Sequence, residues 1–215
     1  MSAIKTELAA FIAAHTSEDF IMTPITMREA SLHTAWEQEL PKVPMASVVD
    51  TVLDGCEVYD VPVRIYIPDT SRPLPVLIYY HGGGFAIDTV AVYDPVCRRI
   101  AQATQHIVIS PEYRLAPENP YPAAYEDALA VARKALPALD ALQIPYQADL
   151  TLCGDSAGGC MALFGNLLIG FMLGDAGTRP TTAIWTLLAL AGLLAGVGLY
   201  TQLRKDGQVQ PATHQ

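Results

Sequence analysis

The chain has 215 residues, 51% of them hydrophobic and 16% charged, and its sixteen prolines and fifteen glycines are ordinary for a globular protein. That length supports one sizeable core and excludes collagen-like and low-complexity classes. Thirteen basic against twenty-two acidic residues leave a formal charge of −9, so the basic footprint that nucleic-acid phosphates need is absent. A mean hydropathy of +0.26 is high for a purely soluble domain of this size and points to a membrane-like segment.

Leu8, Phe11 and Ile12 recur at helical spacing and predict a first helix. Glu7 stands where a signal peptide would carry positive charge, so an amphipathic helix is the better reading. A second helix is predicted over residues 27–40, closed by Pro41. Two strands follow around Asp54-Gly55: Val48, Val49, Val52 and Leu53, then Val61, Val63, Ile65 and Ile67, the second alternating cleanly. Val76-Leu77-Ile78-Tyr79-Tyr80 is a continuous β-prone apolar run, the pattern of a strand buried on both faces. A helix over residues 93–104, a strand over 106–110, a helix over 123–142 and a strand over 150–153 come next. Alternating strands and helices predict an α/β protein with a parallel sheet.

Cys56, Cys97, Cys153 and Cys160 form no Cys-x-x-Cys pair and have no histidine at zinc-finger spacing. Buried free thiols are expected, with no metal and no cofactor.

Two glycine-rich motifs carry the chemistry. Gly154-Asp155-Ser156-Ala157-Gly158-Gly159 sits at a strand-to-helix junction and has the Gly-x-Ser-x-Gly pattern of a nucleophile elbow. A sharp turn there lifts the serine hydroxyl above the sheet, and only tiny flanking side chains fit. The helix that follows aims free N–H groups at any oxyanion formed, with the N–H of Ala157 the first natural donor. His81-Gly82-Gly83-Gly84-Phe85 follows the other buried strand, and its glycines let backbone N–H groups approach a substrate closely. Loops at the ends of neighbouring parallel strands converge on one crevice, so Gly82, Gly83, Gly84 and Ala157 are expected to form an oxyanion hole opposite Ser156. His81 opens the glycine loop and is expected to orient it by hydrogen bonding rather than to act as base. Arg114, near Glu118, Glu126 and Asp127, predicts a structural ion-pair network.

These motifs, with Tyr113-Arg114-Leu115-Ala116-Pro117-Glu118 between them, resemble the hormone-sensitive-lipase-like family of α/β-hydrolase esterases, over residues 1 to about 162. The resemblance implies hydrolysis of small-molecule carboxylic esters, with short acyl chains, through an acyl-enzyme on Ser156. It also implies that residues 1–45 are N-terminal cap helices and 46–173 the hydrolase core. The family's later Asp-Pro-Leu-like and His-Gly-Phe-like segments have no counterpart here. Asp175 and His214 reproduce the order Ser…Asp…His only formally, because Asp175 follows the elbow helix almost at once and His214 lies in a polar tail. The triad acid and histidine are therefore expected to be missing, and the core truncated.

Residues 181–200 carry no charge, and about 20 such residues in a helix span about 30 Å, the thickness of a bilayer core. A transmembrane helix is expected there, followed by a polar tail over 201–215, which would make the chain membrane-associated. Gly192-x-x-x-Gly196 within it would allow a helix-mediated dimer. The expected fold is thus a partial α/β-hydrolase with a mostly parallel sheet and flanking helices, plus a hydrophobic C-terminal helix. Three functions compete: a serine carboxylesterase, a catalytically inactive membrane-anchored remnant serving as an interaction module, and a split enzyme completed by another chain.

Overall fold

The computed structural model describes residues 23–37, 41–56 and 59–173. Helix α1 (Pro24–Glu37) precedes a hairpin of β1 (Ser47–Cys56) and β2 (Tyr59–Ile67). Then come β3 (Leu74–Tyr80), α2 (Val90–Thr104), β4 (Ile107–Pro111), α3 (Ala123–Ala141), β5 (Tyr146–Gly154) and α4 (Ala157–Leu173). The five strands form one sheet in the order β1-β2-β4-β3-β5.

Strand periodicity distributes the core over both faces of the sheet. Val76, Ile78 and Tyr80 of β3 join Ile107 and Ile109 of β4 on one face, where Ala128, Val131, Ala135 and Leu139 of α3 and Met161 of α4 cover them. Leu77, Tyr79 and Val108 point the other way and pack with Cys97 and Ala101 of α2. Covering on both faces explains why β3 is a continuous apolar run.

The sheet is mixed rather than mostly parallel, which corrects the expectation from the strand–helix alternation. β3 pairs in parallel with β4 and β5, while β2 pairs antiparallel with β1 and β4. Parallel neighbours need a long crossover, and α2 and α3 supply crossovers only after β3. Asp54-Gly55 does not separate the first two strands; both residues lie within β1, where the register shifts between Leu53 and Cys56. Cys97, Cys153 and Cys160 are free thiols, but only Cys97 is buried; Cys153 is half-buried and Cys160 exposed, a correction to the expected burial. Burial pushes the Cys97 thiol up to about 12.

Among the described residues no helix is long and apolar enough to cross a membrane. The expected first helix around residues 8–12, the span 181–200, Asp175 and His214 all lie outside the described residues.

Candidate active site

β3 and β5 are parallel neighbours in register, with Tyr80 opposite Gly154 at their C-terminal ends. The glycine loop leaves one strand and the Ser156 turn leaves the other, so both emerge at the same edge of the sheet. They are in contact. A Cβ on Gly158 would strike the backbone carbonyl of Tyr80 and lie 2.7 Å from that of His81. A Cβ on Gly154 would lie 2.5 Å from the Gly158 carbonyl carbon, and one on Gly82 would strike the Asp155 carboxylate. The missing side chains at Gly82, Gly154 and Gly158 therefore bring the two turns together. A Cβ on Gly84, in contrast, would meet nothing within 4 Å, so the loop opens to free space there.

Ser156 itself has φ +50°, a left-handed conformation for a non-glycine residue, and its side chain is exposed. Such a conformation costs of order 1–3 kcal/mol and persists only where the surroundings enforce it. Ala157 follows as the first residue of α4 and is buried.

Asp155 is held from two sides: the hydroxyls of Tyr79 and Tyr93 each donate to its carboxylate at 2.9 Å. Burial and these bonds raise the pKa of both phenols, that of Tyr93 to about 12. His81 is fully buried, stacked on Tyr113 with ring centroids 4.3 Å apart. Its Nδ1 lies 2.7 Å from the Gly82 carbonyl, while Nε2 has no hydrogen-bond partner among the described residues. The Tyr113 hydroxyl donates to the His81 carbonyl at 2.8 Å. Burial pushes the His81 pKa down, against a smaller upward effect of the Gly82 carbonyl. The unfolded chain then binds more protons than the folded one just below the ordinary histidine pKa. Stability from a neutral His81 is fully present above that value and is lost as pH falls below it. By NMR the His81 ring is expected to titrate below the ordinary histidine value, because burial disfavours its charged form. A ring already half-protonated at its ordinary value would contradict the burial seen here.

The segment between Tyr113 and Asp127 packs against the glycine loop. Ala116 N–H donates to the Phe85 carbonyl at 2.8 Å. Arg114 bonds the buried Asp127 at 2.7 Å and Glu126 at 3.2 Å. Glu118, expected in the same network, pairs instead with Arg28 of α1 at 2.8 Å. Phe85, Tyr125 and Phe164 form an aromatic row from the glycine loop to α4, with centroid spacings of 5.6 and 5.1 Å.

The sequence-derived residues Gly82, Gly83, Gly84, Ser156 and Ala157 thus lie on two touching turns, with His81 beneath one of them. No described histidine bonds to Ser156. His81 is committed to the Gly82 carbonyl, His106 lies at the opposite end of the sheet with Nδ1 2.8 Å from the Thr104 carbonyl, and His33 pairs with Glu37 on α1. Among the described residues, no group of three or more His, Cys, Asp or Glu side chains is arranged to hold a metal ion. Tyr79, Tyr93 and Arg28 had no motif to mark them, because their partners are distant in sequence; Tyr113 stood in a motif, but nothing there marked its bond to the His81 carbonyl.

Comparison with known proteins decides the family. The sequence profile of the alpha/beta hydrolase fold matches residues 77–195. The chain belongs to this alpha/beta hydrolase family. The hydrolase match extends beyond residue 162, where the motif resemblance ends, and takes in residues 181–195 of the apolar stretch. Among curated relatives, carboxylesterase NlhH of Mycobacterium tuberculosis is 44% identical over 102 residues, 46% of this chain and 31% of its own. Esterase LipI of the same organism is 42% identical over 134 residues, 58% of this chain and 40% of its own. Among solved structures, the hyperthermophilic esterase from Pyrobaculum calidifontis superposes with a TM-score of 0.69 at 32% identity, covering 79% of this chain and 54% of that one. This hydrolase chain therefore spans less than half the length of the curated relatives named and about half that of the solved esterase.

Proposed function

We propose that the chain carries the nucleophile half of a serine carboxylesterase, acting on small-molecule esters through an acyl-enzyme on Ser156. The observation that supports this most is the left-handed Ser156 on a turn touching the glycine loop of the neighbouring strand. In this reading the Ser156 hydroxyl gives up its proton and attacks the ester carbonyl carbon, and the C=O electrons move onto oxygen. As the tetrahedral species collapses, the C–O bond breaks and the leaving oxygen takes a proton and departs as the alcohol. Water then releases the acid and regenerates the hydroxyl. The N–H groups of Gly82, Gly83, Gly84 and Ala157 are the donors proposed for the developing oxyanion, a role that needs no movement at the moment of reaction. His81 orients the loop, and its buried position suits neither proton transfer to solvent nor contact with Ser156. The aromatic row from Phe85 to Phe164 offers an apolar wall for the acyl or alcohol group.

The base that takes the Ser156 proton is not among the described histidines. This favours a second reading, in which the chain alone is a weak or inactive hydrolase: without its base a serine site retains only about 10³–10⁴ over water. The two are separated by measuring fluorophosphonate labelling and turnover of a short-chain p-nitrophenyl ester, with Ser156→Ala as control. The esterase reading expects labelling and turnover that both vanish in the variant. A folded wild-type chain that stays unlabelled, or turns over no faster than Ser156→Ala, would establish the second reading. Neither membrane attachment through residues 181–200 nor a dimer through Gly192 and Gly196 is required for this chemistry, and the family match over residues 181–195 weighs against a stretch foreign to the hydrolase.

A further inference from the structure

The glycine loop is a strained piece of backbone. Gly83, Gly84, Phe85 and Asp88 have φ of +106°, +60°, +62° and +71°, so two of the four positive values fall on residues that carry a side chain. Inside the loop, Ala86 and Ile87 N–H groups both donate to the Gly83 carbonyl at 3.0 Å. Two hydrogen bonds to one carbonyl do not by themselves hold four such residues, since non-glycine left-handed conformations survive only where surroundings over-determine them.

The surroundings include a single guanidinium from α1. Arg28 Nε donates to the Ala86 carbonyl at 2.7 Å, and Nη2 to the Ala116 carbonyl at 2.9 Å. Nη1 and Nη2 donate to the two Glu118 carboxylate oxygens at 2.9 and 2.8 Å. Four of the five N–H donors are thus placed, on two segments, the glycine loop and the Ala116–Glu118 stretch. One helical turn on, the Ser31 hydroxyl donates to the Asp88 carboxylate. Arg28 and Ser31 share one face of α1, and no residue of that helix is fully buried. The helix is therefore attached to the body largely by polar contacts, and those contacts end on the glycine loop at Ala86 and Asp88 and on the adjoining Ala116–Glu118 stretch.

We propose that Arg28 is a positioning residue for the glycine loop, holding the Ala86 carbonyl so that the N–H groups of Gly82 to Gly84 stay turned toward Ser156. This rests on the oxyanion role assigned above. Geometry sets the requirement: a planar fork reaches Ala86, Ala116 and both Glu118 oxygens together, and a lysine ammonium cannot. Glu118 takes part by fixing the fork's far side.

The test uses the full chain and its Arg28→Gln and Arg28→Lys variants, with two readouts. In hydrogen–deuterium exchange, the peptide over residues 81–88 is expected to exchange at least tenfold faster in both variants, while α3 peptides keep the wild-type rate. In second-order fluorophosphonate labelling of Ser156, both variants are expected to fall about tenfold or more, Arg28→Lys no better than Arg28→Gln. Unchanged exchange over 81–88 overturns the proposal, whether or not the wild type reacts. So does a reactive wild type whose variants label equally fast, or a full rescue by Arg28→Lys. Uniformly faster exchange across all peptides would mean general destabilisation and also overturns it. If the wild type itself does not label but exchange rises locally, the tether stands and the Ser156 reading falls.

Discussion

Gly158→Ala is expected to destabilise the chain by about 3 kcal/mol or more, at the upper end of overpacking costs. The added methyl would collide with the Tyr80 carbonyl, 2.6 Å from its carbon, and sit 2.7 Å from the His81 carbonyl oxygen. All three atoms are backbone at the end of β3, so no rotamer change relieves the clash. Either α4 moves away from the sheet or the glycine loop moves with β3. Both outcomes separate Ser156 from Gly82–Gly84, so fluorophosphonate labelling should fall further than stability alone explains. Gly159→Ala is the control: its Cβ would lie 3.3 Å from the Gly154 carbonyl oxygen, and alanine gains about 1 kcal/mol of helix propensity over glycine. Urea midpoints at unchanged slope measure both. A Gly158→Ala chain as stable as its parent would show that the two turns are not packed together as described.

The glycines were legible in the sequence for this same reason. A nucleophile turn and a loop beside it both need missing side chains at fixed offsets, and Gly154, Gly158 and Gly82 stand at those offsets. The buried strand β3 was legible because burial on two faces leaves no polar alternation. Less legible was anything that depends on a partner far along the chain. Tyr79 and Tyr93 reach Asp155 across 76 and 62 residues, and a tyrosine in a strand reads simply as core. Arg28 meets Ala86 across 58 residues from a helix whose apolar periodicity is weak.

Element boundaries erred where local chemistry was subtle. α1 begins at Pro24 rather than at residue 27, because the Thr23 side chain accepts from the Thr26 N–H at 3.1 Å and caps it. The Thr-Pro pair was the available signal. β5 starts at Tyr146 rather than 150, since Gln147 and Asp149 are exposed and break the apolar pattern there. The mixed sheet was hidden because β2 runs against β3 and β4, a direction set by the short helix-free connection over 68–73 that turns the chain back, not by any residue in either strand.

Asp127→Ala is expected to cost about 3–5 kcal/mol, the range for breaking a buried ion pair from one side. Asp127 is fully buried and accepts from the Arg114 main-chain N–H at 2.8 Å, from Nε at 3.0 Å and from Nη2 at 2.7 Å. Removing the carboxylate leaves a guanidinium, itself only 17% exposed, with Glu126 at 3.2 Å, the Ala123 carbonyl at 3.3 Å and the Tyr59 ring. Asp127→Asn keeps the volume but turns an amide N–H₂ toward Arg114, so it should recover little of the loss. That separates acceptor chemistry from cavity formation. In a double-mutant cycle with Arg114→Ala, the coupling should reach about 2 kcal/mol, since the pair is in direct contact and partly shares its penalty. Additive single effects would reduce Asp127 to a packing residue. The consequence extends beyond stability, because Arg114 and Asp127 fix the segment whose Ala116 N–H holds the Phe85 carbonyl. The glycine loop is therefore braced from α3 through Asp127 as well as from α1 through Arg28. Loosening either brace lets the strained residues Phe85 and Asp88 relax, and with them the Gly82–Gly84 N–H groups proposed as oxyanion donors.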